Sequence, residues 1–188
     1  IVNGISSLLD SNHKVVLDEP NKYFKNKNYS YVKQSTDFIP YSMQDLINIY
    51  YSVLDRGYKD FTFYCPKEYT NCISDIEKIS SSDSTVLSNL NYFVSPYNSE
   101  KKITTSYSTT GEVNIIVDEL YTDEEIKAVN QKIDEIIKNV ITDNMSLEDK
   151  ILAIHDYIIN TTTYASEALK GDSSYKSYIR YGTLLQGY

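Results

Sequence analysis

Residues 101–140 read KKITTSYSTTGEVNIIVDELYTDEEIKAVNQKIDEIIKNV. Two periodicities meet inside this stretch. Ile103, Thr105 and Tyr107 alternate with Lys102, Thr104 and Ser106, and Val113, Ile115 and Val117 do the same further on. A period of two marks half-buried strands, and Thr110-Gly111 between the runs predicts a tight turn, so residues 102–121 form a hairpin. From Thr122 the spacing becomes helical. Ile126, Val129, Ile133, Ile136, Ile137, Val140 and Ile141 fall on one face. Thr122 followed by Glu125 is a capping box that fixes where the helix starts. A hairpin running directly into a long amphipathic helix predicts an α+β chain: several helices with a small, mostly antiparallel sheet.

Upstream, Ser42 and Asp45 open a second helix with Met43, Leu46, Ile47, Tyr50, Val53 and Leu54 on its apolar face. Gly57 closes it, as a residue free to adopt positive φ should. Phe61 to Cys65 reads as a short buried strand stopped by Pro66. A helix over 67–80 follows, with Ile73, Ile76 and Ile79 at steps of three, then a Ser-rich turn and an apolar segment over 86–94. Residues 1–40 suggest only a short helix over Ile1–Leu9 and an alternating piece at Tyr29–Val32. The break near Glu100 sets the expected division: residues 1–100 as an N-terminal accessory α/β region, and 101–188 as the second part.

Downstream, Ser146 to Tyr188 reads SLEDKILAIHDYIINTTTYASEALKGDSSYKSYIRYGTLLQGY. Ser146 and Asp149 cap a helix whose Leu147, Ile151, Ile154 and Ile158 recur at helical steps. His155 falls inside that apolar arc and reads as a hydrogen-bonded core histidine, with Asp156 pointing away. Ser174 can cap a further helix carrying Tyr175, Tyr178, Ile179, Leu184 and Leu185.

This last stretch resembles the opening of the bacterial transglutaminase-like (papain-like cysteine enzyme) superfamily. The matching residues are Lys150-Ile151, Ile154 to Asn160, Tyr164, Tyr181-Gly182, Leu184-Leu185 and Gly187. Ala165 departs from the acidic residue that often follows the tyrosine in the family. The resemblance covers under a quarter of the chain. It implies that residues 101–188 hold a hairpin, a long helix and the opening helices of a truncated transglutaminase-like domain. It implies a parent protein acting on amide or peptide bonds through a Cys-His-Asp centre, with a cysteine a few residues past Tyr188. In the family all three catalytic side chains lie downstream, and here no Cys follows Cys72 and no His follows His155. The chain is therefore expected to be inactive alone, with no catalytic, cofactor-binding or metal-binding residue and no cofactor. Its implied partner is a protein or cell-wall peptide, met through the missing C-terminal part. The implied location is extracellular or at the cell surface, with any export signal upstream of Ile1. The competing function is a non-catalytic cell-surface binding or adhesion module using a Tyr-rich face, since the chain holds 19 tyrosines.

Charge excludes other classes. The net charge is −8, and residues 112–158, with twelve acids against four lysines, account for all of it. A chain without a basic footprint neither neutralises phosphates of nucleic acid nor docks on anionic lipid. No run of 18 or more apolar residues is present to span a membrane. The six glycines are scattered, so there is no phosphate-binding loop.

Three constellations remain. Cys65 and Cys72, the only cysteines, fit a disulfide, a pair of buried thiols, or half of a metal site, and spacing alone leaves these open. Cys72 with His155 as its base would make a nucleophilic pair, but Asp156 is expected to face away from the histidine it would have to orient. Asp123-Glu124-Glu125 would supply carboxylates for sugar hydrolysis, but they sit in a helical first turn, where negative charge complements the helix dipole.

Overall fold

The computed structural model describes residues 38–81, 84–164 and 179–188. The expected elements at Ile1–Leu9 and Tyr29–Val32, and the helix start at Ser174, lie outside these residues. The architecture is α+β, with a three-stranded antiparallel sheet.

The chain divides into two compact units between Glu119 and Leu120. The first contains α1 (Met43–Arg56), β1 (Asp60–Tyr64), α2 (Cys72–Ser80), α3 (Val86–Phe93), β2 (Glu100–Tyr107) and β3 (Glu112–Glu119). The second contains α4 (Asp123–Val140), α5 (Leu147–Thr161) and a short π-turn at Gly182–Gln186. The division falls beyond the hairpin rather than at the break near Glu100, and pairing explains why. β3 lies in the middle of the sheet, with β1 on one side and β2 on the other, so the hairpin cannot leave the first unit without breaking the β1–β3 ladder.

Each end of α1 follows from its sequence. Ser42 Oγ accepts from the Asp45 amide, and Asp45 accepts in return from the Tyr41 amide and the Ser42 hydroxyl. Gly57 takes φ 72°, which lets its amide and that of Tyr58 reach back to carbonyls of the last turn. The buried face of α1 (Leu46, Ile49, Tyr50, Val53 and Leu54) packs into one core with Phe61 and Phe63 of β1 and Val113, Ile115 and Val117 of β3. Tyr50 is fully buried, so its hydroxyl needs a partner, and it meets Thr105 Oγ1 at 3.0 Å. Burial raises the Tyr50 pKa above its usual value, an effect only partly offset by the hydrogen bonds from Thr105 and Ser80.

The two expected strands pair as a hairpin, with Ile103 opposite Val117, Thr105 opposite Ile115 and Tyr107 opposite Val113. On the opposite sheet face Asn114 Nδ2 donates to Asp60 Oδ1 at 2.7 Å and Thr62 Oγ1 at 3.1 Å. This side-chain rung joins β3 to β1 on the sheet face turned away from the core formed by α1. At the turn, Gly111 has φ 90°, and a Cβ there would stand 2.7 Å from the carbonyl oxygen of Cys65. Only glycine lets the turn approach the end of β1 this closely.

The helix expected over 67–80 starts later, at Cys72. Residues 66–72 instead form consecutive turns, with Tyr69 N–H donating to the Pro66 carbonyl and Cys72 N–H to that of Tyr69. The reason is covalent. Cys65 and Cys72 are joined by a disulfide across 5.9 Å between Cα atoms, which holds the start of α2 against the end of β1. Asn71 supplies no side-chain cap to α2. Tyr69 and Lys78 brace it through Asp75, the tyrosine hydroxyl donating to one carboxylate oxygen at 2.5 Å and the ammonium to the other at 2.6 Å. These bonds, Lys78's first, hold the Asp75 carboxyl below its usual range, while burial and Asp75 together push Tyr69 well up.

Candidate functional site

In the second unit Thr122 and Glu125 form the reciprocal capping box of α4, at 3.2 and 3.1 Å. That bond occupies Glu125 with the helix start, and Asp123 and Glu124 share the same first turn. The acidic triplet is thus a helix cap, as its position in the sequence implied. In α5 the cap differs in detail: Ser146 Oγ accepts from the Asp149 amide, and the Asp149 carboxylate bonds the serine hydroxyl rather than the backbone.

The far end of α5 has no basic residue to satisfy its carbonyls. Asn160, Thr161 and Thr162 do so with their own side chains, donating to the carbonyls of Asp156, Tyr157 and Ile158 at 2.7 Å each. The chain then leaves the helix, and Thr163 N–H donates to the Gly187 carbonyl at 2.9 Å. Two ends of the family-like motif, the residues around Tyr164 and the glycine at 187, are therefore bonded neighbours. Tyr121 Oη accepts from the Arg180 amide at 2.9 Å and ties the same segment to the start of the unit.

The main feature of this unit is what α5 leaves uncovered. At 100° per residue, Ile154, Leu147, Ile158, Ile151, His155, Glu148, Ile159 and Leu152 follow one another around one broad arc, apolar except for His155 and Glu148. No residue of α5 is buried. Leu147 is 70% exposed, Ile151 60%, Ile159 57% and Leu152 56%. Complete burial of such side chains contributes about 1.5–3 kcal/mol each, so covering these four would yield roughly 4–7 kcal/mol. Beside the arc, Ile133, Ile136 and Ile137 of α4, Ile154 and Ile158 of α5, and Ile179 and Leu184 enclose an apolar groove of about 490 Å³, with Thr183 and Arg180 completing its lining. Apolar surface of this extent is uncommon on a folded monomer.

His155 corrects the sequence reading twice. Its side chain is 62% exposed rather than in a core, because the arc around it is uncovered by the described residues. Asp156 does not point away: its Oδ1 lies 3.1 Å from His155 Nδ1, since adjacent side chains at an uncovered surface are free to swing together. A histidine–carboxylate pair thus exists, but without a nucleophile among the described cysteines. Cys72 is 1% exposed and bonded to Cys65, so it offers no thiolate. The same bond decides among the three readings of the cysteines and removes them as metal ligands. No cluster of three or more His, Cys, Asp or Glu suited to a metal occurs among the described residues, and no helix among them is long and apolar enough to cross a membrane.

Among the described residues the exposed tyrosines are spread over separate elements: Tyr41 precedes α1, Tyr64 ends β1, Tyr92 lies on α3, Tyr107 ends β2, Tyr164 follows α5 and Tyr188 follows the π-turn. Two are held by carboxylates, Tyr64 by Glu112 at 2.8 Å and Tyr107 by Glu77 at 2.5 Å. What the sequence reading missed is the width of the α5 arc. The stripe at 147, 151, 154 and 158 was legible; Leu152 and Ile159 extend it past His155 and Glu148, and their apolar character was the available signal.

No protein-family model, curated protein or solved structure matches this chain.

Proposed function

We propose that this chain is the accessory, N-terminal part of a transglutaminase-like protein that acts on amide or peptide bonds, and that α5 is the opening helix of its catalytic domain. The observation that carries this reading is the uncovered apolar arc of α5 with His155 at its middle. A lone surface helix has no use for six apolar residues on one arc interrupted only by His155 and Glu148. A helix designed for the interior of a larger domain does. The resemblance at Ile154 to Asn160 and at Tyr181 to Gly187 supplies the kind of domain, and the bond between Thr163 and Gly187 agrees with the two motif pieces belonging to one site. The disulfide supports an oxidising, extracellular setting, where such bridges persist.

On this reading the 188 residues lack the chemistry. Acyl transfer through a thiol requires a thiolate, a base within hydrogen-bond reach and donors for the oxyanion. The described cysteines are both committed to the bridge, so the remaining polypeptide would supply all three. The test is to read the coding sequence past the codon for Tyr188, and to express the longer polypeptide beside the present one. A cysteine within a few residues, together with loss of the binding of a hydrophobic dye that the 188-residue chain shows, is the expected result. A stop codon at that point, a continuation without cysteine, or no dye binding by the 188-residue chain would overturn the proposal.

A further inference from the structure

We draw no further inference here: the strongest candidate, the apolar groove between α4, α5 and the Gly182–Gln186 turn, adjoins the face on which the proposed function already rests, and nothing in the structure shows what else covers it.

Discussion

Reducing the Cys65–Cys72 bridge should cost the first unit a large share of its stability. The two cysteines are seven positions apart, so the bridge closes a loop of eight residues. Cross-linking a loop of that size removes about 8 cal/mol/K of chain entropy from the unfolded state, or about 2.5 kcal/mol at room temperature. For a unit of this size that corresponds to a fall in Tm of roughly 10–20 °C. The bridge has a local task as well: α2 begins at Cys72 without a side-chain cap, so its first turn relies on the covalent link. The assay is thermal unfolding followed by circular dichroism, with and without reductant, alongside the Cys65→Ala/Cys72→Ala double variant. Alkylation under denaturing conditions counts the thiols in each sample. The oxidised chain should show none and the reduced chain both. If both thiols label after reduction and Tm moves by less than ~2 °C, the entropic argument fails. If the untreated chain already labels, the bridge itself does not form.

Gly111→Ala should destabilise the first unit by roughly 1–3 kcal/mol from the positive φ alone, and by more once the new methyl meets the Cys65 carbonyl; urea unfolding monitored at the tyrosines reads this directly. Tyr50 and Tyr69 both have raised pKa values in the folded state. The protonated phenols are therefore favoured by folding: their contribution is complete below the usual 10.0 and is lost as pH climbs above it through the folded values. Urea midpoints should hold from neutral pH to about 10 and then drop, and Tyr50→Phe/Tyr69→Phe should flatten that drop. His155→Ala should change stability by less than about 0.5 kcal/mol, the range of exposed positions away from special features. A loss several times larger in urea unfolding would mean that the arc around His155 is covered after all.

Where a residue's neighbours in sequence decide its conformation, the chain could be read. Ser42, Thr122 and Ser146 announced three helix starts, because a cap is a contact over three residues. The hairpin followed from alternation and one turn, since both strands adjoin it. Burial of Tyr50 and the pairing of its hydroxyl with Thr105, 55 residues away, could not be read, because that contact depends on the packing of α1 over the sheet. Neither could the start of α2: propensity allows a helix from Lys67, and a covalent bond chosen by tertiary geometry overrules it. His155 was misjudged for a different reason. An apolar arc reports the environment for which a helix is suited, and the described residues do not provide that environment. Function was less legible still: the motif at Ile154 to Asn160 suggests a class of domain, but the two cysteines are bonded to each other and leave no thiolate beside His155.

The strand order β1–β3–β2 also has a consequence for synthesis on the ribosome. The strand that both others need is the last of the three to be made. When β1 and then β2 emerge, neither has its partner, and Phe61 and Phe63 remain without the opposing Val113 and Ile115. The sheet can close only after Glu119 has left the exit tunnel, at roughly 5–20 residues per second. During that interval the nascent chain displays two open strand edges and two phenylalanines, a combination that invites pairing with other chains. Translation products that stop before Glu112 should therefore collect in aggregates, whereas those that extend past Glu119 carry everything the first unit needs to close.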